Sequence, residues 1–470
     1  MVFSSSIFLF VFLPVALLGY YLLKESYRNL FLLLVSFVFY AWAGPKYLIL
    51  LLISILINYL FGLIFSAMKN SGKRGRRVML FLGVAANLSM LFYFKYYNFF
   101  FRTVNRIAKT SFPLKDIALP LGISFFTFCG ISYLVDVYKR KTKAQKNPLN
   151  IALYLSFFPK LAQGPITRYG DMAGQIEKRT CSVEKFSEGV WRFTIGLAKK
   201  VVIANQLGAM VDKIYAVPAD QNSAAVAWIA SIGYTMQIYF DFSGYSDMAV
   251  GLGKMFGFDI MENFNYPYVS KNISEFWRRW HISLSSWFRD YLYIPLGGNR
   301  TGNVYVNLFI VFAVTGLWHG AAWNFVVWGL WHGLFILLER FLRNRHIEIP
   351  LPNAVKILLT FFIVNLGWVL FRAPNFSYAA KMAGVMFGAV PAMNTGITLG
   401  WYLTPKVAFV LALAVLASVP WKKAAPKFAG LLEGTYAQVI VKDVCTVVLL
   451  AVSVMLVMTS TYNAFIYFKF

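Results

Sequence analysis

Apolar runs recur from the first residues to the last, and their lengths predict helices that cross or enter a bilayer. They fall at 1–23, 29–42, 47–66, 78–101, 117–138, 149–161, 190–211, 224–242, 304–317, 323–342, 355–371, 402–420 and 438–458. A span needs roughly 20 residues, so 29–42, 149–161 and 304–317 read as re-entrant, tilted or buried pieces. The expectation is about 11 spanning helices with shorter buried ones among them. The first run has no basic residues ahead of it and no small-residue cleavage signal, so it reads as a retained first helix. The stretch 243–303 breaks the pattern. It is polar, aromatic and Gly-rich, and it holds no long apolar run. Such a stretch is either an extramembrane lid or polar structure buried around a water-filled path, and intramembrane polar groups usually serve function.

Composition sharpens this to an all-α polytopic membrane protein. Hydrophobic residues make up 59% of the chain and charged ones 14%, against about 25% charged in a soluble domain. Mean hydropathy is +0.60. A soluble enzyme, a disordered chain and a disulfide scaffold are excluded, and a barrel would show short alternating segments. No tandem repeat and no second soluble domain is visible, so residues 1–470 read as one membrane domain.

The formal net charge of +26 comes from 45 Lys and Arg against 19 Asp and Glu. With no basic tail and no RNA-binding motif, nucleic acid is not the expected partner. The basic residues read as loop charges that fix topology and meet membrane lipid. Loop 67–77 holds Lys69, Lys73, Arg74, Arg76 and Arg77, and loop 139–146 holds Lys139, Arg140, Lys141, Lys143 and Lys146. Two spans separate them, so both are placed in the cytoplasm and the N-terminus outside. Loop 102–116, with Arg102, Arg106, Lys109 and Lys115, argues the other way.

The chemistry is concentrated in few residues. Cys129, Cys181 and Cys445 form no metal knuckle, and no metal is expected. Gly251-Leu252-Gly253 lacks the further glycine and the βαβ context of a nucleotide loop. No Gly-x-Ser-x-Gly elbow, Walker loop or His-Glu-x-x-His occurs. Of four histidines, His346 lies in a charged loop and reads as solvated. Read as one helix, Ser274, Arg278, His281, Ser285 and Arg289 share a stripe beside an aromatic one. That is either a functional imidazole on a polar face or an interfacial helix whose arginines meet phosphate headgroups. His319 and His332 each sit in Trp-His-Gly, thirteen residues apart. On a continuous helix they would be about 20 Å apart and could not act together. Gly316-x-x-x-Gly320 and Gly329-x-x-x-Gly333 predict close helix contacts beside them. Each is either a neutral histidine bonded within the bundle or a general base. Asp136, Asp241, Asp247, Asp290 and Lys95 are expected in ion pairs or cavities.

Several motifs together resemble the membrane-bound O-acyltransferase (MBOAT) superfamily. They are YRNLFLLLVSFVFYAW at 27–42, LPLGISFFTFCGISYLVDVY at 119–138, FFPKLAQGPITRY at 157–169, YFDFSGYSDMAVGLGKMFGF at 239–258, FWRRWHISLSSWFRDYLYIPLGGNR at 276–300, GLWHGAAWNFVVWGLWHG at 316–333 and the terminal FIYFKF. The branch most similar acetylates alginate or peptidoglycan and is related to D-alanyl transfer proteins. The resemblance implies the MBOAT fold around a central tunnel in a bacterial cytoplasmic membrane. It implies a cytoplasmic acyl donor or carrier, with acetyl-CoA or another acyl thioester as the donor. It also implies an extracytoplasmic SGNH-type acyltransferase partner and a polysaccharide acceptor. His319 matches the catalytic histidine and His281 the second functional one, while His332 is left as structural. Trp318, Asn324, Arg278, Ser285, Arg289, Asp290 and Asp241 are the surrounding candidates. A transporter of an acyl carrier without chemistry is the alternative, and a non-catalytic scaffold the third reading.

Overall fold

The computed structural model describes residues 1–68, 72–391, 393, 396, 398–424, 434–460 and 462. Among them every regular element is a helix. The terminal FIYFKF motif and Lys69 lie outside the described residues. Five helices are long and apolar enough to cross a membrane, namely Pro45–Ala67, Lys73–Ala108, Trp323–Asn344, Asn353–Arg372 and Tyr436–Thr459. Shorter apolar helices run Phe8–Leu22, Ile123–Tyr138, Val304–His319 and Pro405–Ala417. The described chain falls into two compact units, Met1–Phe193 with Met248–Met261, and Thr194–Asp247 with Glu262–Phe470.

The first unit opens with α1 (Phe8–Leu22), α2 (Glu25–Ala41), α3 (Pro45–Ala67) and α4 (Lys73–Ala108). Next come α5 (Ile123–Tyr138), α6 (Pro148–Ser156), α7 (Phe158–Leu161) and α8 (Tyr169–Glu177). The run expected at 117–138 becomes helical only at Ile123, because Pro120 and Gly122 make a turn first. Gly122 has φ +69°, and a Cβ there would overlap the Leu161 carbonyl oxygen. Of the readings open to the short run at 149–161, the structure shows a buried piece. Residues 151–167 are all buried, and α6 ends and α7 begins where Phe157 leaves helical geometry. Asn58 of α3 and Asn87 of α4 exchange amide hydrogen bonds of 3.0 and 3.3 Å. Such bonds join helices where apolar side chains have no solvent to escape. Arg76 donates to the Tyr138 carbonyl at 2.7 Å, so the two basic loops lie at one end of this unit.

Helix α9 (Val183–Ala198) passes through a π turn, Lys199–Ala204, into α10 (Asn205–Tyr215). Helix α11 runs Ala224–Met255, so the helix predicted at 224–242 continues well into the polar stretch. Its continuation is polar because it is buried against partners. In the second unit Lys200 pairs with Asp241 and Lys199 with Asp247, each at 2.6 Å. Gly244 lets the two backbones meet, since a Cβ there would sit 2.7 Å from the Gly196 carbonyl oxygen. Two short helices follow, α12 (Ile273–Arg279) and α13 (Ile282–Phe288). The rest is α14 (Val304–His319), α15 (Trp323–Asn344), α16 (Asn353–Arg372), α17 (Phe376–Met386), α18 (Leu399–Tyr402), α19 (Pro405–Ala417), α20 (Trp421–Ala424) and α21 (Tyr436–Thr459). The run expected at 402–420 starts at Pro405, after Leu403 departs from helical geometry. One apolar core gathers α10, α11, α12, α15 and α16 around Trp280, Trp328 and Trp368.

Candidate active site

Helices α14 and α15 form an antiparallel hairpin. Gly320 and Ala322 are extended and turn the chain. A Cβ at Gly316 would overlap the Phe325 carbonyl oxygen, and one at Gly329 the Phe312 carbonyl oxygen. Only glycine permits that approach. The two glycine motifs thus pack against each other. The reversal also corrects the geometry expected from a continuous helix. His319 and His332 both touch the Trp328 ring, with centroids 4.9 and 5.2 Å away.

His281 lies between α12 and α13 in the left-handed region, with φ 44° and ψ 55°. The single-helix stripe is therefore broken at its central residue. Ser274, Arg278, Ser285 and Arg289 line an open groove of about 500 Å³, while His281 turns inward to zero exposure. This backbone conformation is rare for a residue with a Cβ, and here it re-aims one side chain.

Asn263 holds the imidazole. Its Oδ1 accepts from the Ser283 amide at 3.1 Å and the Ser283 hydroxyl at 2.9 Å, and it lies 3.1 Å from His281 Nδ1. Its Nδ2 donates to Ser246 Oγ at 3.2 Å. A backbone N–H can only donate, so the Ser283 amide fixes which end of the Asn263 amide is oxygen. His281 must then carry its proton on Nδ1 and keep a lone pair on Nε2. Nε2 has no hydrogen-bond partner among the described residues. Burial pushes this imidazole down from near 6.5 to about 3, which keeps it neutral.

The His281 and His319 rings are 6.5 Å apart, centroid to centroid. Aromatic edges enclose them. Phe242 lies 4.6 Å from His281, Phe371 lies 5.4 Å from His319, and Trp318 touches both rings. His319 is 2% exposed. His332 sits behind Trp328, parallel to Phe276 at 6.0 Å and edge-on to Trp277 at 5.3 Å. His346 is exposed.

The other candidates divide. Trp318 joins the chamber. Asn324 donates to the Leu370 and Ala373 carbonyls and so secures the end of α16. Arg289 is paired with Asp290 at 2.8 Å, outside the chamber. Asp241 is paired with the fully buried Lys200. Lys95 donates to Ser124 at 3.3 Å. Sequence reasoning missed Asn263, Phe242, Trp328 and Phe371. Phe242 and Trp328 lay inside quoted motifs, but neither periodicity nor spacing tied Asn263 to His281 across the eighteen residues that separate them.

The model of the membrane-bound O-acyltransferase family matches residues 37–380. A probable alginate O-acetylase from Pseudomonas putida is 43% identical over the whole of both chains. Its counterpart in Pseudomonas aeruginosa is 48% identical over 82% of this chain and 75% of its own. A peptidoglycan O-acetyltransferase from Helicobacter pylori is 40% identical over 83% and 80%. The chain belongs to the membrane-bound O-acyltransferase family and is a multi-pass membrane O-acyltransferase.

Proposed function

We propose that the chain takes an acetyl group from a cytoplasmic thioester, with acetyl-CoA as the donor, and delivers it for O-acetylation of an extracytoplasmic polysaccharide. The relatives named for alginate and peptidoglycan acetylation support that acceptor class. An SGNH-type protein outside the cytoplasmic membrane receives the group and passes it to the polymer. The meeting of the two basic loops at one end of the first unit supports a cytoplasmic face there and an extracytoplasmic N-terminus.

The reading rests on one observation, the His281–His319 pair in a buried aromatic chamber. His319 takes the proton of the acceptor hydroxyl as general base. The hydroxyl oxygen then attacks the thioester carbonyl, the C–S bond breaks, and the thiolate leaves with the proton returned to it. His281, held as the Nδ1–H tautomer, accepts a hydrogen bond through Nε2 and so orients the incoming hydroxyl or the donor amide. The aromatic walls exclude water that would hydrolyse the thioester.

The test uses the full chain in proteoliposomes with labelled acetyl-CoA inside and the SGNH-type partner outside. His319→Ala should abolish label transfer while the protein remains folded. Full transfer by that variant would remove His319 from the chemistry. Label crossing the membrane without acylation in the wild type would favour the transporter reading.

A further inference from the structure

The polar stripe that lost His281 still faces somewhere. Its remaining members line the groove of about 500 Å³ bounded by α12, α13, α14 and α15. Most of that lining is hydrocarbon, from Leu284, Phe288, Leu308, Val311, Phe312 and Ile336. The last two helices of the groove are the apolar segments Val304–His319 and Trp323–Asn344. Walls of this composition suit hydrocarbon rather than water.

The polar groups of the groove are mostly engaged. Ser274 Oγ donates to Glu339, Ser286 Oγ donates to the Ser283 carbonyl, and Arg289 is held by Asp290. Arg278 is exposed and makes no hydrogen bond or ion pair with any described residue. The neighbouring carboxylate, Glu275, is bonded to Arg279 at 2.8 Å and feels Arg278 only through its charge, with no hydrogen bond between them. An uncommitted guanidinium beside a hydrocarbon trough fits one chemistry. It is a phosphate ester joined to an acyl chain.

We propose that this groove binds an anionic phospholipid, with its phosphate on Arg278 and a chain along Leu308, Val311 and Phe312. A nucleotide thioester carries phosphate, but its short arm is interrupted by amides that would sit unpaired against these walls. A choline or ethanolamine headgroup would set a cation beside Arg278 and Arg279, so the negative headgroup is preferred. The lipid also reaches the chamber indirectly. Trp277 lines the groove, and its ring touches both His332 and Trp328. A bound chain therefore braces the aromatic wall behind His319.

The experiment is native mass spectrometry of the purified full chain. Phosphatidylglycerol and phosphatidylcholine of identical chains are titrated in, and thermal stability is read in parallel. Phosphatidylglycerol should be retained in preference and should raise the unfolding temperature. Arg278→Gln should weaken its retention roughly tenfold, as for loss of a charge-assisted hydrogen bond. Leu308→Trp, which fills the trough, should reduce retention of both lipids. Equal retention of the two lipids by the wild type would overturn the proposal, and so would an unchanged Arg278→Gln. Displacement of phosphatidylglycerol by acetyl-CoA would also overturn it and give the groove to the acyl donor. The lipid comparison and the acetyl-CoA competition need no variant, and neither depends on His319 acting as the base.

Discussion

Replacing Asn263 by alanine tests the tautomer argument most directly. The side chain is 1% exposed, and its single Oδ1 serves the Ser283 amide, the Ser283 hydroxyl and His281 Nδ1. The hydroxyl can rotate to another acceptor. The Ser283 amide and the His281 Nδ1–H cannot, so two buried donors lose their acceptor. Each such donor costs about 1–3 kcal/mol, and a water entering the vacated space recovers part of it. The expected loss is therefore about 2–4 kcal/mol, a large share of the roughly 5–15 kcal/mol available to a folded domain. It should appear as a clear drop in unfolding temperature in detergent, together with a fall in acyl transfer. Asn263→Asp separates the two effects. A carboxylate still accepts from Ser283 and His281, so the fold should persist. Its charge beside Nδ1 favours the imidazolium and removes the Nε2 lone pair, so transfer should fall at neutral pH and recover as pH rises. An Asn263→Ala protein as stable and active as the wild type would refute the reasoning.

Three further outcomes follow from the same geometry. Gly329→Ala should prevent the α14–α15 hairpin from closing, because its Cβ overlaps a backbone oxygen, and yield of folded protein on size exclusion checks this. Lys200→Met alone should destabilise by about 3–5 kcal/mol, since it leaves Asp241 charged and buried, whereas Lys200→Met with Asp241→Leu should recover most of that in thermal unfolding. Stability should also fall with acidity. His281 titrates at about 3 when folded and near 6.5 when unfolded, so below about pH 6.5 the unfolded state binds the extra proton and gains; His281→Gln should flatten that part of the unfolding-temperature profile.

The helical class and the buried run at 149–161 were legible because each leaves a local trace, and the histidines stood out as candidates for the same reason. Apolar length, a polar interruption and a rare titratable residue can all be read without knowing what packs where. The hairpin was half legible. Four glycines announced close contacts, but the break at Gly320 made those contacts mutual and brought His319 to Trp328. The stripe through His281 misled because periodicity assumes unbroken helix, and a single left-handed residue sent one member inward and left the others on a groove. Asn263 was illegible. Its role depends on the chain returning eighteen residues later, and tertiary contact sets that rather than any local preference.

The clasp between α14 and α15 decides where acyl-chain preference can be redesigned. Backbone oxygens, not side chains, set the separation of these two helices at Gly316 and Gly329. Repacking inside 312–333 therefore shifts His319 or fails to fold. Phe242 and Phe371 lie outside that clasp, and each meets a histidine through a ring contact. A library that holds the hairpin constant and trims Phe242 or Phe371 is the route to longer acyl groups, with His319 left in place.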